Sequence, residues 1–173
     1  KRFLNKDGTI QVELYKEPIH YKKEDGQYEE IDNTFEETSK GLKNKKNDFI
    51  VEVDETNEDS LLNITCKGHK ICMFPKKIKG KIRDKKRIKN NKNKRIDKVK
   101  YEGILDNTDI EYELHSKRLK ESIVLHEKPK NNIIEFILKT DLELSINTDN
   151  SIYISNGKET LFKLEKPFMI DNK

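Results

Sequence analysis

The residues best suited to act on another molecule are cations. Between Lys76 and Lys100 the sequence holds fourteen Lys or Arg against two Asp. That local charge of +12 leaves −8 on the rest of a chain whose net charge is +4, so an acidic body carries one basic segment. Lys76, Lys77, Lys79, Lys81, Arg83, Lys85, Lys86, Arg87, Lys89, Lys92, Lys94 and Arg95 are the candidate polyanion-binding residues. Cations grouped in this way bind anionic polymers with an affinity that falls steeply as salt rises. A nucleic acid, a teichoic acid, another cell-wall polymer or an acidic protein face would each qualify as partner. No aromatic residue lies between Phe74 and Tyr101, so nothing there can stack on the bases of a single strand. The plain alternative is a solvated linker.

Other chemistry is thinly provided. His69 lies between Cys66 and Cys72, but a zinc site takes four ligands and no second pair stands at finger-like spacing. The two cysteines either bridge a hairpin or remain buried thiols, since spacing alone does not give their separation. Asp106-Asn107-Thr108-Asp109 and Asn147-Thr148-Asp149-Asn150 are rich in oxygen ligands for calcium, yet neither matches an EF-hand loop, and turns favour the same residues. Neither Gly-x-Ser-x-Gly nor a Gly-rich phosphate loop occurs. Among 32 acidic residues some pair always lies close by chance, so paired carboxylates do not argue for glycoside hydrolysis. The expectation is a chain that is not an enzyme, with no cofactor and no metal.

In the elements that carry these residues, alternation with period two dominates. Ile10, Val12 and Leu14 share one face of a strand, and Gln11 and Glu13 share the other. Phe49, Val51 and Val53 alternate, as do Ile110, Tyr112 and Leu114, then Ile134, Phe136 and Leu138, then Leu142, Leu144 and Ile146. Turn signals separate these runs at Asp7-Gly8, Asp25-Gly26, Lys67-Gly68, Asp149-Asn150 and Asn156-Gly157. Ile10, Val12, Leu14, Phe136 and Leu144 are expected in the core. Glu111–Leu125 fits helical spacing only loosely and reads as well as a strand. Lys120 and Glu121, adjacent on such a strand, must point to opposite faces, which suggests a structural ion pair for one of them.

The fold class expected is all-β, a sandwich or stacked antiparallel sheets of many short strands. Residues 1–75 form a first β half and 98–173 a second, with a single domain overall as the alternative. Residues 76–97, where the alternation fails, form a long basic, flexible loop between them. Apolar residues are 32% and charged residues 39% of the chain, so the core is small and the surface heavily solvated. No apolar run approaches the roughly 20 residues of a membrane-spanning helix. The chain starts without Met and reads as a fragment of a longer protein.

Four blocks carry a resemblance. Pro18-Ile19-His20-Tyr21-Lys22 followed by Asp25-Gly26-Gln27-Tyr28-Glu29-Glu30-Ile31-Asp32-Asn33-Thr34 is similar to a P-I-H-Y-K…W-x-x-I-D-N-T pattern, with Tyr28 where Trp is usual. Tyr101-Glu102-Gly103 to Asp109-Ile110-Glu111-Tyr112 is similar to V-x-Y…G-x-D-I-x-Y. Leu119–Leu125 is similar to L-K-E-x-I-V-L, and Pro167–Asp171 to P-x-M-x-D. In this order the blocks resemble the N-terminal β-rich region of bacterial cell-wall-associated, Rhs (YD-repeat) and DNRLRE-type secreted proteins. The basic segment has no counterpart and looks like an insertion. The resemblance implies secretion, a cell-wall or cell-surface location, and a structural or interaction module whose partner is the remainder of a larger polypeptide. It brings no catalytic residues.

Overall fold

The computed structural model describes residues 1–55, 61–78, 85–89, 96–129 and 133–171. All regular structure among them is β, in seventeen short strands that pair antiparallel throughout. Glu111–Leu125 is a β-hairpin, not a helix: its two strands, Thr108–Leu114 (β12) and Leu119–Leu125 (β13), pair in unbroken register from Thr108↔Leu125 to Leu114↔Leu119.

Two sheets enclose the main core. One has six strands: Asp32–Thr38 (β5), Gly41–Lys46 (β6), Phe49–Asp54 (β7), Leu62–Cys66 (β8), His69–Pro75 (β9) and Phe136–Lys139 (β14), in the order β14-β9-β8-β7-β6-β5. The other has four: Lys85–Lys89 (β10), Ile96–Leu105 (β11), β12 and β13, in sequence order. Phe35, Leu42, Val51, Val53, Leu62 and Phe74 from the first meet Val99, Tyr101, Ile104, Ile110, Tyr112 and Leu114 from the second, all buried. Alternation places these residues on inward faces, and removing their apolar area from water is the main stabilising term.

Strand β9 is covered on both sides. Cys72 and Phe74 face the main core, while Ile71 joins Leu142 and Ile154 in a second one. That second core lies against the three-stranded sheet of Glu143–Ile146 (β15), Ile152–Ser155 (β16) and Thr160–Leu164 (β17). The uninterrupted apolar run Ile71-Cys72-Met73-Phe74 is the sequence trace of this double burial. Two further hairpins, Arg2–Leu4 (β1) with Ile10–Val12 (β2) and His20–Lys22 (β3) with Tyr28–Glu30 (β4), pair only within themselves among the described residues.

The turns follow their chemistry. Lys67 and Gly68 both have positive φ, 47° and 78°, which is the primed geometry that matches strand twist in a two-residue hairpin. Cys66 therefore stands opposite His69, and Cys72 opposite Asn63, so the cysteines are not neighbours across the ladder and both are free thiols. The two oxygen-rich stretches are turns as well. Asp149 Oδ1 accepts hydrogen bonds from the Ser151 N–H and hydroxyl, and Asn107 and Asn150 take positive φ.

Asn44 shows how a side chain replaces a missing ladder. Strand β6 pairs with β7 from Gly41 to Lys43 and then diverges. There the buried Asn44 amide donates to the Phe49 carbonyl at 3.1 Å, and its oxygen accepts the Val51 N–H at 2.7 Å. Leaving buried backbone groups unpaired costs about 1–3 kcal/mol. Asn44→Ala is therefore expected to lower unfolding stability by about 2 kcal/mol in urea denaturation, while Lys45→Ala, on the solvent side of the same strand, stays within about 0.5 kcal/mol.

Several expectations are corrected. Ile10, Val12, Leu14 and Leu144 are exposed, and only Phe136 packs against a core. Their faces are correctly alternating, but no described element covers them. The basic segment is not one uninterrupted loop, since β10 lies inside it and pairs with β11 from Lys85↔Tyr101 to Lys89↔Ile96. Backbone ladder bonds do not require apolar side chains, which is why loss of alternation did not reveal this strand. Lys120 and Glu121 do take opposite faces, but Glu121 turns inward opposite Tyr112 and finds no cation there among the described residues.

Candidate functional site

The hairpin built from the first resemblance block packs near the turn between β12 and β13, and two shallow grooves open at this junction. The turn is closed by His115 N–H donating to the Arg118 carbonyl at 2.9 Å. Three side chains from distant parts of the chain hold it. Asn33 Nδ2 donates to the His115 carbonyl at 2.8 Å, and Asn47 Nδ2 donates to the Ser116 carbonyl at 3.1 Å and to Asn33 Oδ1 at 2.9 Å. The Ser116 N–H donates to Glu17 Oε2 at 3.2 Å.

One groove, about 200 Å³, is lined by His20, Tyr21, Lys22, Asp48 and Lys117 around Pro18 and Ile31. The other, about 290 Å³, is lined by Glu17, Glu30, Asp97, His115, Asn33 and Thr34 around the same Pro18 and Ile31. Both are open and polar. They can hold an extended hydrophilic ligand by hydrogen bonds, and they do not enclose one. In the second, Glu17 lies 3.8 Å from His115 Nδ1 and Glu113 lies 3.6 Å from Nε2.

A second constellation occupies the outer face of the four-stranded sheet. Asp109 is buried, with Oδ2 2.7 Å from His126 Nε2 and 2.9 Å from Lys100 Nζ, and Oδ1 accepting the Gly103 N–H at 2.8 Å. Burial alone would raise its pKa, but the Lys100 ammonium, the Gly103 amide and His126 outweigh it and hold the carboxyl at about 2. Lys98 pairs with Glu111 beside it. The Asp–His contact was not legible in sequence, because register alone brings residues 109 and 126 together across β12 and β13. With the Asp109 carboxylate held by Lys100, His126 and the Gly103 N–H, the geometry is that of a positioned surface polar network. Among the described residues no group of three His, Cys, Asp or Glu could hold a metal ion.

Of the expected polyanion-binding residues, Lys76 and Lys77 are exposed, and Lys76 Nζ pairs with Glu135 at 2.8 Å. Lys85, Lys86, Arg87 and Lys89 belong to β10, the outer edge of the four-stranded sheet. Lys79, Lys81, Arg83, Lys92, Lys94 and Arg95 lie outside the described residues. Sequence reasoning missed Asn33, Asn47, Asp109, His115 and His126. Asn33 stands in the tract Ile31-Asp32-Asn33-Thr34 and Asp109 in the stretch Asp106-Asn107-Thr108-Asp109, but neither pattern states the contacts found here.

The chain is similar to a wall-associated protein of Geobacillus stearothermophilus, 32% identical over 190 residues, a match covering 99% of this chain and 71% of that protein. It is 28% identical over 184 residues to the tRNA(Glu)-specific nuclease WapA of Bacillus subtilis subsp. natto, and 26% identical over 180 residues to the tRNA3(Ser)-specific nuclease WapA of Bacillus spizizenii. Each of these two matches covers all of this chain and 8% of the relative, so the chain spans less than a tenth of the nucleases it resembles. No family model and no solved structure matches. The names of these relatives overturn the expectation that the chain is not an enzyme: they are nucleases that act on tRNA, matched over 8% of their length.

Proposed function

Since the chain belongs to the wall-associated protein family, we propose that it is an all-β structural and interaction module through which a larger, secreted tRNA-nuclease polypeptide associates with the cell wall. The observation that carries this reading is the pattern of the matches. Relatives named for different tRNA targets share this stretch over its whole length, and it makes up 8% of each of them. A stretch common to nucleases that choose different tRNAs suits a role they hold in common, and wall association is the role in the Geobacillus relative's name. The kinship with Rhs, YD-repeat and DNRLRE-type secreted proteins is part of the same proposal.

Wall retention of the full-length protein tests it. Cells producing the protein with and without residues 1–171 are separated into wall and culture-medium fractions, and tRNA cleavage is read in parallel to report that the remaining polypeptide is intact. The deletion is expected to lower the wall-bound fraction at least tenfold. An unchanged wall fraction overturns the reading.

A second reading, binding of a wall polyanion by the basic segment, is favoured by the placement of Lys85–Lys89 on an outer sheet edge. Deleting Lys76–Lys100 would not test it, because Val99 in that stretch is fully buried in the core. Replacing Lys85, Lys86, Arg87 and Lys89 by Gln in the full-length protein leaves Val99 in place. Binding to isolated teichoic acid is then expected to weaken and to lose part of its salt dependence, the slope flattening by roughly one unit per phosphate contact removed. Unchanged affinity and slope would dismiss the basic edge as a contact.

A further inference from the structure

The hairpin of β1 and β2 has an inside and an outside, and its inside is bare. Register pairs Leu4 with Ile10 and Arg2 with Val12, so Leu4, Ile10 and Val12 share one face, while Phe3 and Gln11 share the other. Leu14, two residues past Val12, continues the apolar row. Ile10 is 57%, Val12 55%, Leu4 77% and Leu14 91% exposed. Single exposed apolar residues are ordinary, but a contiguous row of four on one face marks a contact surface. The residues between them in sequence, Gln11 and Glu13, are polar, as on the wet side of a half-buried sheet.

Little in the described structure supports this ribbon. Its strands pair only with each other, and the Lys1–Glu30 ion pair at 3.1 Å ties it to the neighbouring hairpin. A lone two-stranded hairpin is marginal in water and gains independent stability when a third strand or a packing layer covers its apolar face. The tRNA-nuclease relatives hold over nine-tenths of their length outside the stretch that matches this chain, so a covering layer is available within one polypeptide.

We propose that the Leu4–Ile10–Val12–Leu14 face is the docking surface for another segment of the same polypeptide, one with an apolar face and an acidic residue at its rim to meet Arg2. The inference deepens the reading of this chain as part of a longer wall-associated protein and gives that polypeptide a specific point of attachment.

Cysteine accessibility in the purified full-length protein tests it. Ile10→Cys, Gln11→Cys, Val12→Cys and Leu14→Cys are made singly, and maleimide labelling of each folded protein is timed against its urea-unfolded form, with unsubstituted protein correcting for Cys66 and Cys72. Cysteines at 10, 12 and 14 are expected to label at least tenfold more slowly than the one at 11. The protection is expected to be independent of protein concentration. Equal, fast labelling at all four positions overturns the proposal. Protection that disappears on dilution also overturns it, since the cover would then be a second copy. Because no wall material is present, a failure here is separate from a failure of the wall-retention experiment.

Discussion

Glu121→Gln is expected to make the protein more stable at pH 8 while changing little at pH 4. Glu121 lies on the inner face of the four-stranded sheet, between Leu119 and Ile123 and opposite Tyr112. Its Oε2 is enclosed and has no hydrogen-bond partner among the described residues. Burial pushes its pKa from the ordinary 4.5 up to about 7, with the Tyr112 hydroxyl pulling weakly the other way. The raised value means that the folded state holds this proton more tightly than the unfolded chain does. Between pH 4.5 and 7 the unfolded carboxyl has released its proton and the folded one has not, so stability falls as pH rises through that window. A difference of this size amounts to about 3 kcal/mol, complete above pH 7. Glutamine cannot ionise, so urea denaturation of the variant should lack this contribution to the pH slope. Identical slopes in the two proteins would show that Glu121 is already hydrated when folded.

Tyr112→Ala should be the most damaging of the single substitutions considered. Tyr112 is fully buried, and its ring meets that of Tyr101 edge to face, with centroids 6.2 Å apart and planes at 73°. Both stand where the four-stranded sheet faces the six-stranded one. Truncating a buried aromatic side chain costs about 3–5 kcal/mol in lost transfer energy and cavity formation. A loss of about 4 kcal/mol would take a large share of the stability of a domain this size. Tyr28→Ala is the control, since Tyr28 is exposed on β4 and should change stability by less than about 0.5 kcal/mol. A loss below about 1 kcal/mol for Tyr112→Ala would mean that the two sheets do not pack as described.

The elements were largely legible because their signals are local. Lys67-Gly68 states its turn in two residues, Asn156-Gly157 marks the loop between β16 and β17, and Val51 and Val53 announce an inward face by alternation alone. Alternation says that a strand has two different faces, not what covers either of them. Val53 and Val12 carry the same local signal, yet one is buried against the four-stranded sheet and the other is bare, because the difference lies in partners far along the chain. The pairing of β14 with β9 and the reach of Asn33, Asn47 and Glu17 to the turn at His115 and Ser116 are of this kind. The hydrogen bonds that hold that turn span 69 to 99 residues of sequence, and no short-range pattern records them. Adjacency on a strand says that Lys120 and Glu121 face opposite ways and leaves open which of them meets a charge. The position of Glu121 opposite a tyrosine follows from register, which a single strand does not reveal.

The pairing of Phe136 with Pro75 also sets an order of events in time. As the polypeptide emerges during synthesis, strands β5 to β9 can assemble early, but the rim of β9 stays unsatisfied until a stretch beyond the entire four-stranded sheet has been made. An open rim invites pairing with a neighbouring chain, and contacts this remote in sequence form slowly. Nascent molecules of this protein thus pass through an interval of vulnerability that closes only when Phe136–Lys139 arrives, and crowding or delay in that interval should favour entanglement between chains over maturation of each one.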